Sequence, residues 1–145
     1  MANSFRLEVV TPERLFYEGD VELVIARTLL GDEGFMANHA WACKLLATGE
    51  LWIQEHGSKD FKIAAISGGY IDVQKTIVIF TDSAEWPDEI DEDRAKLAKE
   101  RAEHSLKADP KDPMATIDTE LAKIAIEKAL TRIHVKSGGR RKKRG

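Results

Sequence analysis

The sequence predicts an α+β fold: an N-terminal antiparallel β-sandwich or flattened barrel, then a C-terminal antiparallel helical hairpin. Two observations carry this. Up to residue 81, apolar and polar residues mostly alternate and turn residues recur at short intervals, the pattern of half-buried strands. From Ile90-Asp91-Glu92-Asp93-Arg94-Ala95 onward, charges and alanines recur every three or four residues, the helical period. The expected organisation is a sandwich over 1–86, a hairpin over 87–137 and a basic tail over 138–145 without fixed structure.

The strands follow in order. Phe5, Leu7 and Val9 alternate with Arg6, Glu8 and Val10, and Thr11-Pro12-Glu13-Arg14 reads as a turn. Residues 15–19 and 21–26 read as two more strands. A glycine-flanked loop, Gly31-Asp32-Glu33-Gly34, precedes a short apolar piece at Phe35-Met36. A hairpin begins at Leu51-Trp52-Ile53-Gln54, turns at His56-Gly57-Ser58 and returns over 61–66. Ser67-Gly68-Gly69 reads as a tight bend, with strands at 70–73 and 76–81 flanking a turn at Gln74-Lys75. Eight or nine short strands are expected in all.

A polar linker over 82–89 contains Trp86-Pro87, and a proline biases the residue before it away from the α region, so the first helix starts later. Asp91 is its natural N-cap, with acidic Glu92 and Asp93 in the first turn. Lys96/Glu100 and Lys99/Glu103 are i,i+4 pairs worth about 0.3 kcal/mol each. Ala95, Ala98, Ala102 and Leu106 form a narrow stripe, and the helix is expected to stop before Ala108-Asp109-Pro110. The second helix is expected to be capped by Asp112 with Pro113 at its first position. Its apolar face is expected at Ile117, Leu121 and Ile124, widened by Ala122, Ala125, Ile126, Ala129, Leu130 and Ile133, and Gly138-Gly139 ends it. Facing alanine stripes bury little area, so the hairpin is expected to be marginal alone and able to leave its dock.

With 145 residues, 43% apolar and 32% charged, the chain can bury one modest core plus an appendage. No apolar run approaches the roughly 20 residues of a membrane span, and the start lacks signal-peptide character. One cysteine, Cys43, makes no internal disulfide, which points to the cytosol. Residues 1–89 hold 7 Lys/Arg against 15 Asp/Glu, a balance of −8, and residues 90–145 hold 15 against 10, a balance of +5. Arg140-Arg141-Lys142-Lys143-Arg144 accounts for that excess, leaving the helices neutral and mixed in sign, as in a solvated or reversibly docked pair.

No phosphate loop of the G-x-x-x-x-G-K-[ST] type and no G-x-G-x-x-G occurs. His39, His56, His104 and His134 show no metal-ligand spacing, so no metal is expected. No nucleophile-and-base pair emerges, so the chain does not read as an enzyme. Trp41, Trp52 and Trp86 read as packing residues rather than stacking platforms. The tail suits an acidic surface or a solvated terminus. The hexapeptide at 90–95 admits two readings. Asp91 caps the helix, the reading favoured on physics alone, or it receives an adenine amino group while helix N–H groups and Arg94 face an anion.

Four motifs in order resemble one family: Leu7-Glu8-Val9-Val10-Thr11-Pro12-Glu13-Arg14, the segment from Gly31 to His39, Ser67-Gly68-Gly69-Tyr70-Ile71-Asp72-Val73, and Ile90-Asp91-Glu92-Asp93-Arg94-Ala95. Over about residues 5–135 the chain resembles the ε subunit of bacterial F-type ATP synthase. The resemblance implies a non-catalytic central-stalk subunit, peripheral on the cytoplasmic face of the bacterial inner membrane. Its sandwich would bind the γ subunit and the c-ring. Its hairpin would either fold on the sandwich or extend towards the α/β head and inhibit ATP hydrolysis.

The resemblance also implies a regulatory ATP site, with or without Mg, and no required cofactor. Ile90, Asp91, Arg94 and Ala95 match an Ile/Leu-Asp-x-x-Arg-Ala motif in full. Glu85, Arg101 and Arg132 match further nucleotide-contacting positions. Lys128 stands where an arginine is usual, losing the planar fork that suits phosphate, and Leu121 occupies another arginine position. Gly31, Asp32, Glu33, His39 and Trp41 fall in the segment that resembles the ring- and γ-contacting loop, with Asp32 and Glu33 available to basic ring loops. Two prolines usual there are missing, one replaced by Trp41. Two other readings stand beside this one: a free nucleotide-sensing interaction domain, and a nucleic-acid-binding accessory protein using the tail. The charge balance of the helices disfavours the latter, and no nucleic acid is expected.

Overall fold

A computed structural model describes residues 3–106 and 115–138, with no side chain of 115–118. Its strands are β1 (Phe5–Val10), β2 (Leu15–Thr28), β3 (Gly31–Phe35), β4 (Ala42–Glu55), β5 (Phe61–Val73), β6 (Ile77–Thr81) and β7 (Ala84–Glu85). The strand order is β1-β6-β5-β4-β2-β3, and β1 also pairs with β2. That extra pairing closes five strands into a flattened barrel, with β3 extending from β2 and β7 paired to β5. β1 runs parallel to β6 and antiparallel to β2. The fold class is therefore the one expected, a sandwich or barrel followed by helices.

Fewer, longer strands replace the eight or nine expected. β2 runs unbroken through Gly19-Asp20, and its register against β4 shifts twice, which lets one long strand bend and serve both layers. The segment 31–35 is a strand rather than a loop, paired with residues 24–28 of β2. Ser67-Gly68-Gly69 lies inside β5, not between two strands. Gly68 and Gly69 have φ of 96° and 129°. A Cβ at Gly69 would sit 1.9 Å from the Phe80 carbonyl oxygen. The motif thus kinks a continuous strand where only glycine fits beside β6.

The barrel interior is a single apolar cluster that includes Leu7, Val9, Val24, Phe35, Ile53, Ile71 and Ile79, all completely buried. Trp86 packs on it from the rim, stacked on Phe16 with ring centroids 4.4 Å apart. Trp52 meets Phe61 edge-on and donates its indole N–H to Glu50 at 2.9 Å. Trp41 departs from the packing role and is exposed.

A single 3-10 turn over Pro87–Glu89 leads to α1 (Glu92–Ser105), and α2 (Ala115–Lys136) follows. Asp91 caps α1 as expected: its carboxylate accepts the Arg94 backbone N–H at 3.1 Å. Lys96 pairs with Glu92 instead of Glu100, and Lys99 pairs with Glu103. The C-terminal half of α1 (Arg101, Ala102, Ser105) faces Leu121, Ala122 and Ala125 of α2, so the helices run antiparallel. The buried small residues of the two helices are Ala95, Ala102, Ala122 and Ala129, while Leu121, Ile124 and Leu106 are exposed. Leu121 and Ile124 of the 4-then-3 spacing thus lie on the outer face; small residues take the inner one because close helix approach leaves no room for more. Gly138, with φ of 100°, closes α2. The expected cap at Asp112, Pro113, the stop at Ala108-Asp109-Pro110, the Ile117 side chain, Gly139 and the basic run 140–144 lie outside the described residues.

Candidate functional site

The hairpin lies against the outer face of β4 and β5 through the C-terminal half of α2. Three kinds of contact hold it. Val135 is completely buried in a small apolar cluster with Ala65 and Ile90, flanked by Ile63. Arg132 grips Glu85, its Nη2 donating to Oε2 at 3.1 Å. The Arg132 Nε comes within 3.0 Å of Oε1, off the line of a hydrogen bond. The Lys136 ammonium donates to the Pro87 carbonyl at 3.0 Å.

The linker before α1 is held from the other side. One Arg14 Nη2 reaches both Glu89 carboxylate oxygens, at 2.9 and 2.7 Å. Glu89 also accepts the Trp86 backbone N–H at 3.1 Å. That backbone hydrogen bond, with the Arg14 charge, holds the Glu89 carboxyl below its ordinary value, against a smaller opposing effect of burial. With Trp86 stacked on Phe16, residues 86–89 belong mechanically to the barrel. Ile90, buried with Ala65 and Val135, and the helix cap Asp91 join this segment to α1.

Between α2 and the β5–β7 edge lies a cleft of about 140 Å³, lined on the barrel side by Thr48, Ser67, Ser83 and Glu85 and on the helix side by Lys128, Thr131 and Arg132. It is smaller than the roughly 300–1,000 Å³ of pockets that enclose a drug-sized ligand. The Ser83 hydroxyl donates to Ser67 Oγ at 2.8 Å. Lys128 and Arg132 stand one turn apart on α2, and Lys128 has no ion-pair partner among the described residues. The structure thus brings together Glu85, Lys128 and Arg132 of the sequence-derived nucleotide set. Asp91 and exposed Arg94 sit at the start of α1, Ile90 is buried against Val135, and Ala95 is buried in the helix seam. Arg101 lines a separate groove between the helices with Leu121 and Ala125.

The partner-contact candidates lie on and after β3. Asp32 and Glu33 are not waiting for an outside cation. Arg27 holds Asp32, Nε to Oδ1 at 3.1 Å, and Lys44 pairs with Glu33. Both partners come from other strands, Arg27 from β2 and Lys44 from β4. Gly31, with φ of 117°, makes the turn between β2 and β3. Leu29 and fully exposed Leu30 form its tip. His39 packs on Phe35, ring centroids 5.1 Å apart, and its backbone N–H donates to the Met36 carbonyl. Asn38 keeps a left-handed conformation, φ 65°, which asparagine tolerates better than most residues.

Two family models cover this architecture. The one described as ATP synthase, Delta/Epsilon chain, beta-sandwich domain matches residues 4–87, and the one described as long alpha-helix domain of the same chain matches residues 88–137. The chain belongs to the ATP synthase delta/epsilon family. The ATP synthase epsilon chain of Alkaliphilus oremlandii is 48% identical over 109 residues, 74% of this chain and 80% of its own length. That of Desulforamulus reducens is 40% identical over 134 residues, 92% of this chain and 97% of its own. Among solved structures, a chain of the Euglena gracilis mitochondrial ATP synthase, in its OSCP/F1/c-ring assembly, superposes with a TM-score of 0.73 at 25% identity, covering 88% of this chain and 79% of that one. A chain of the Tetrahymena thermophila mitochondrial ATP synthase central stalk and c-ring shares the fold, with a TM-score of 0.59 at 13% identity over 90% of this chain and 97% of that one.

The four-motif resemblance to the ε subunit and these matches agree, and the chain is a central-stalk subunit of ATP synthase. Among the described residues no helix is long and apolar enough to cross a membrane. Within this family chain, sequence reasoning missed Arg14, Ser67 and Ser83. Arg14 finds its partner 75 residues away. Ser67 and Ser83 meet only through the β5–β7 pairing, so no local pattern marks them.

Proposed function

We propose that the barrel acts as the rigid, non-catalytic coupling body of the central stalk and that the hairpin acts as its brake. In the folded position the hairpin permits ATP hydrolysis; released and extended towards the α/β head, it inhibits. The observation that carries this reading is the contrast between the two sides of Ile90. Residues 86–89 are stacked, ion-paired and hydrogen-bonded to the barrel, while α2 rests on it through one apolar plug, one ion pair and one lysine. Such a dock is worth a few kcal/mol, since burying one valine or isoleucine contributes about 1.5–3 kcal/mol, and a dock of that size switches readily.

The barrel's partners are read as the γ subunit and the c-ring, on the cytoplasmic face of the membrane. A row of neighbouring side chains across five strands supports an apolar partner surface: Leu45 opposite Tyr70, Tyr70 opposite Phe80, Phe80 opposite Val10, and Val10 opposite Leu15. Leu45, Tyr70, Phe80 and Leu15 are exposed, and Tyr70 stacks on Phe80 at 4.8 Å. Replacing Tyr70 and Phe80 together by Ser should release the subunit from the membrane-bound synthase. Full retention in washed membranes would contradict this surface. For the ring, the Leu29-Leu30 tip and Trp41 are better placed than Asp32 and Glu33, whose charges are already met.

Regulatory ATP, with or without Mg, is the ligand this reading assigns to the folded hairpin, held by Lys128 and Arg132 beside Glu85; Asp91, Arg94 and Arg101 lie outside that cleft in the folded hairpin. Isothermal titration with MgATP tests it: heat of binding in the micromolar-to-millimolar range is expected, and none up to several millimolar rejects it.

A further inference from the structure

We propose that the basic run at 140–144 is a latch for the folded hairpin: it lies in the groove at the end of α2 and pairs with carboxylates of the barrel rim. The occupant is this chain's own tail. The inference deepens the brake reading above, on which it rests for the effect on hydrolysis.

The groove opens where the chain leaves α2. Gly138, with φ of 100°, turns the backbone out of the helix and forms part of the groove wall. The groove is open, about 480 Å³, and lies between the start of β5 and residues 86–88. Phe61, Ile63, Trp86 and Val135 give it apolar walls, and Asp88 adds an acid. Aromatic surface beside a carboxylate suits arginine and lysine. Their methylene stems cover apolar walls, the guanidinium rests on a ring, and the charged head stays at the wet edge beside the acid.

The charges agree with that occupant. Lys62, the cation of the wall, is already met by Glu55 at 3.2 Å. Exposed Asp88 has no ion-pair partner among the described residues, and neither has exposed Asp60, the residue before Phe61. Lys136 takes the same direction, its ammonium donating to the Pro87 carbonyl at 3.0 Å, next to Asp88. Residues 1–89 carry a balance of −8 and the helices are neutral, so the barrel is the acidic body within the tail's reach. Residues 139–145 span up to roughly 23 Å when extended, and they start from the groove wall itself. Exposed ion pairs are weak one by one. A tether of this length holds the tail at a millimolar effective concentration, so weak pairs are enough.

Hydrogen exchange over α2 of the full chain tests the latch. Replacing all five basic residues, Arg140→Ser, Arg141→Ser, Lys142→Ser, Lys143→Ser and Arg144→Ser, should speed exchange of α2 about fivefold at 0.1 M salt, the worth of two or three exposed pairs. The difference from the parent chain should vanish at 1 M salt, where charges are screened within about 3 Å. Asp60→Asn with Asp88→Asn should speed exchange about threefold in the parent chain and add little once the tail is neutral, since the two changes remove the same contacts. Unchanged exchange in the tail variant overturns the latch. Faster exchange in the tail variant with none in the Asp60/Asp88 variant, or fully additive effects, overturns the groove as its place. Hydrolysis by the assembled synthase separates the two readings. Slower hydrolysis with the neutral tail supports both. Unchanged hydrolysis with faster exchange keeps the latch and rejects the brake. Faster hydrolysis shows the tail holding the extended form on another acidic surface, and overturns the latch.

Discussion

At the scale of single residues, two ion pairs, Arg14–Glu89 and Arg132–Glu85, hold the segment between barrel and hairpin. Glu89 shows this most clearly. Its carboxyl is held below the ordinary range by the Trp86 N–H and Arg14, so the folded state binds its proton less readily than the unfolded chain. The stability it contributes is therefore present above the unfolded value of about 4.3 and is lost as pH falls through the lower folded value. Glu55 behaves alike, its carboxyl lowered by hydrogen bonds from the Tyr17 hydroxyl and from Lys62. Denaturant midpoints measured from pH 7 down to pH 3 should fall below about pH 4.5. Glu89→Gln should flatten part of that fall while lowering the pH 7 midpoint, and an unchanged profile would show that the Arg14 contact adds nothing. Asp91 was legible from sequence because a cap acts three residues away. Glu89, Glu85 and Asp32 were not, because their partners arrive from other strands or from α2.

At the scale of elements, two devices do what the sequence pattern only hinted. The Ser67-Gly68-Gly69 kink lets β5 carry the hairpin dock on one half and the Tyr70 row on the other. Gly69→Ala should cost about 3 kcal/mol or more, combining a disfavoured φ with a backbone clash, and thermal unfolding measures it. A loss under about 0.5 kcal/mol, the range of ordinary surface changes, would contradict the close approach to Phe80. The second device is the helix seam. Alternation and helical period located the strands and both helices. The faces were harder: large apolar residues mark the core of a barrel, whereas in this hairpin alanines mark the seam and Leu121 and Ile124 stay outside. The bends in β2 and β5 were likewise read as chain breaks, since a bulge and a turn use the same residues. Val135→Ala should loosen the dock by about 1.5 kcal/mol, roughly tenfold in the docked-to-released ratio, without touching barrel stability. Hydrogen exchange over α2 and over β4–β6 separates the two effects.

At the scale of the whole molecule, a closed barrel pinned as far as Glu89 and a lightly held hairpin form one rigid part and one switching part, and the family places both in the central stalk of ATP synthase. The fold was legible from its two periodicities, and the family from four motifs in order. The site was only partly legible: the structure gathers Glu85, Lys128 and Arg132 but leaves Arg94 and Arg101 on other surfaces of the folded hairpin. The central claim is that docking the hairpin permits hydrolysis and releasing it inhibits. The most direct measurement is ATP hydrolysis by the assembled synthase carrying Ala65→Cys and Val135→Cys in a Cys43→Ser background, with the hairpin cross-linked to the barrel through that apolar plug. Hydrolysis should rise once the cross-link is complete and fall back on reduction. Equal rates before and after reduction, with the cross-link shown to form and break, would contradict the account.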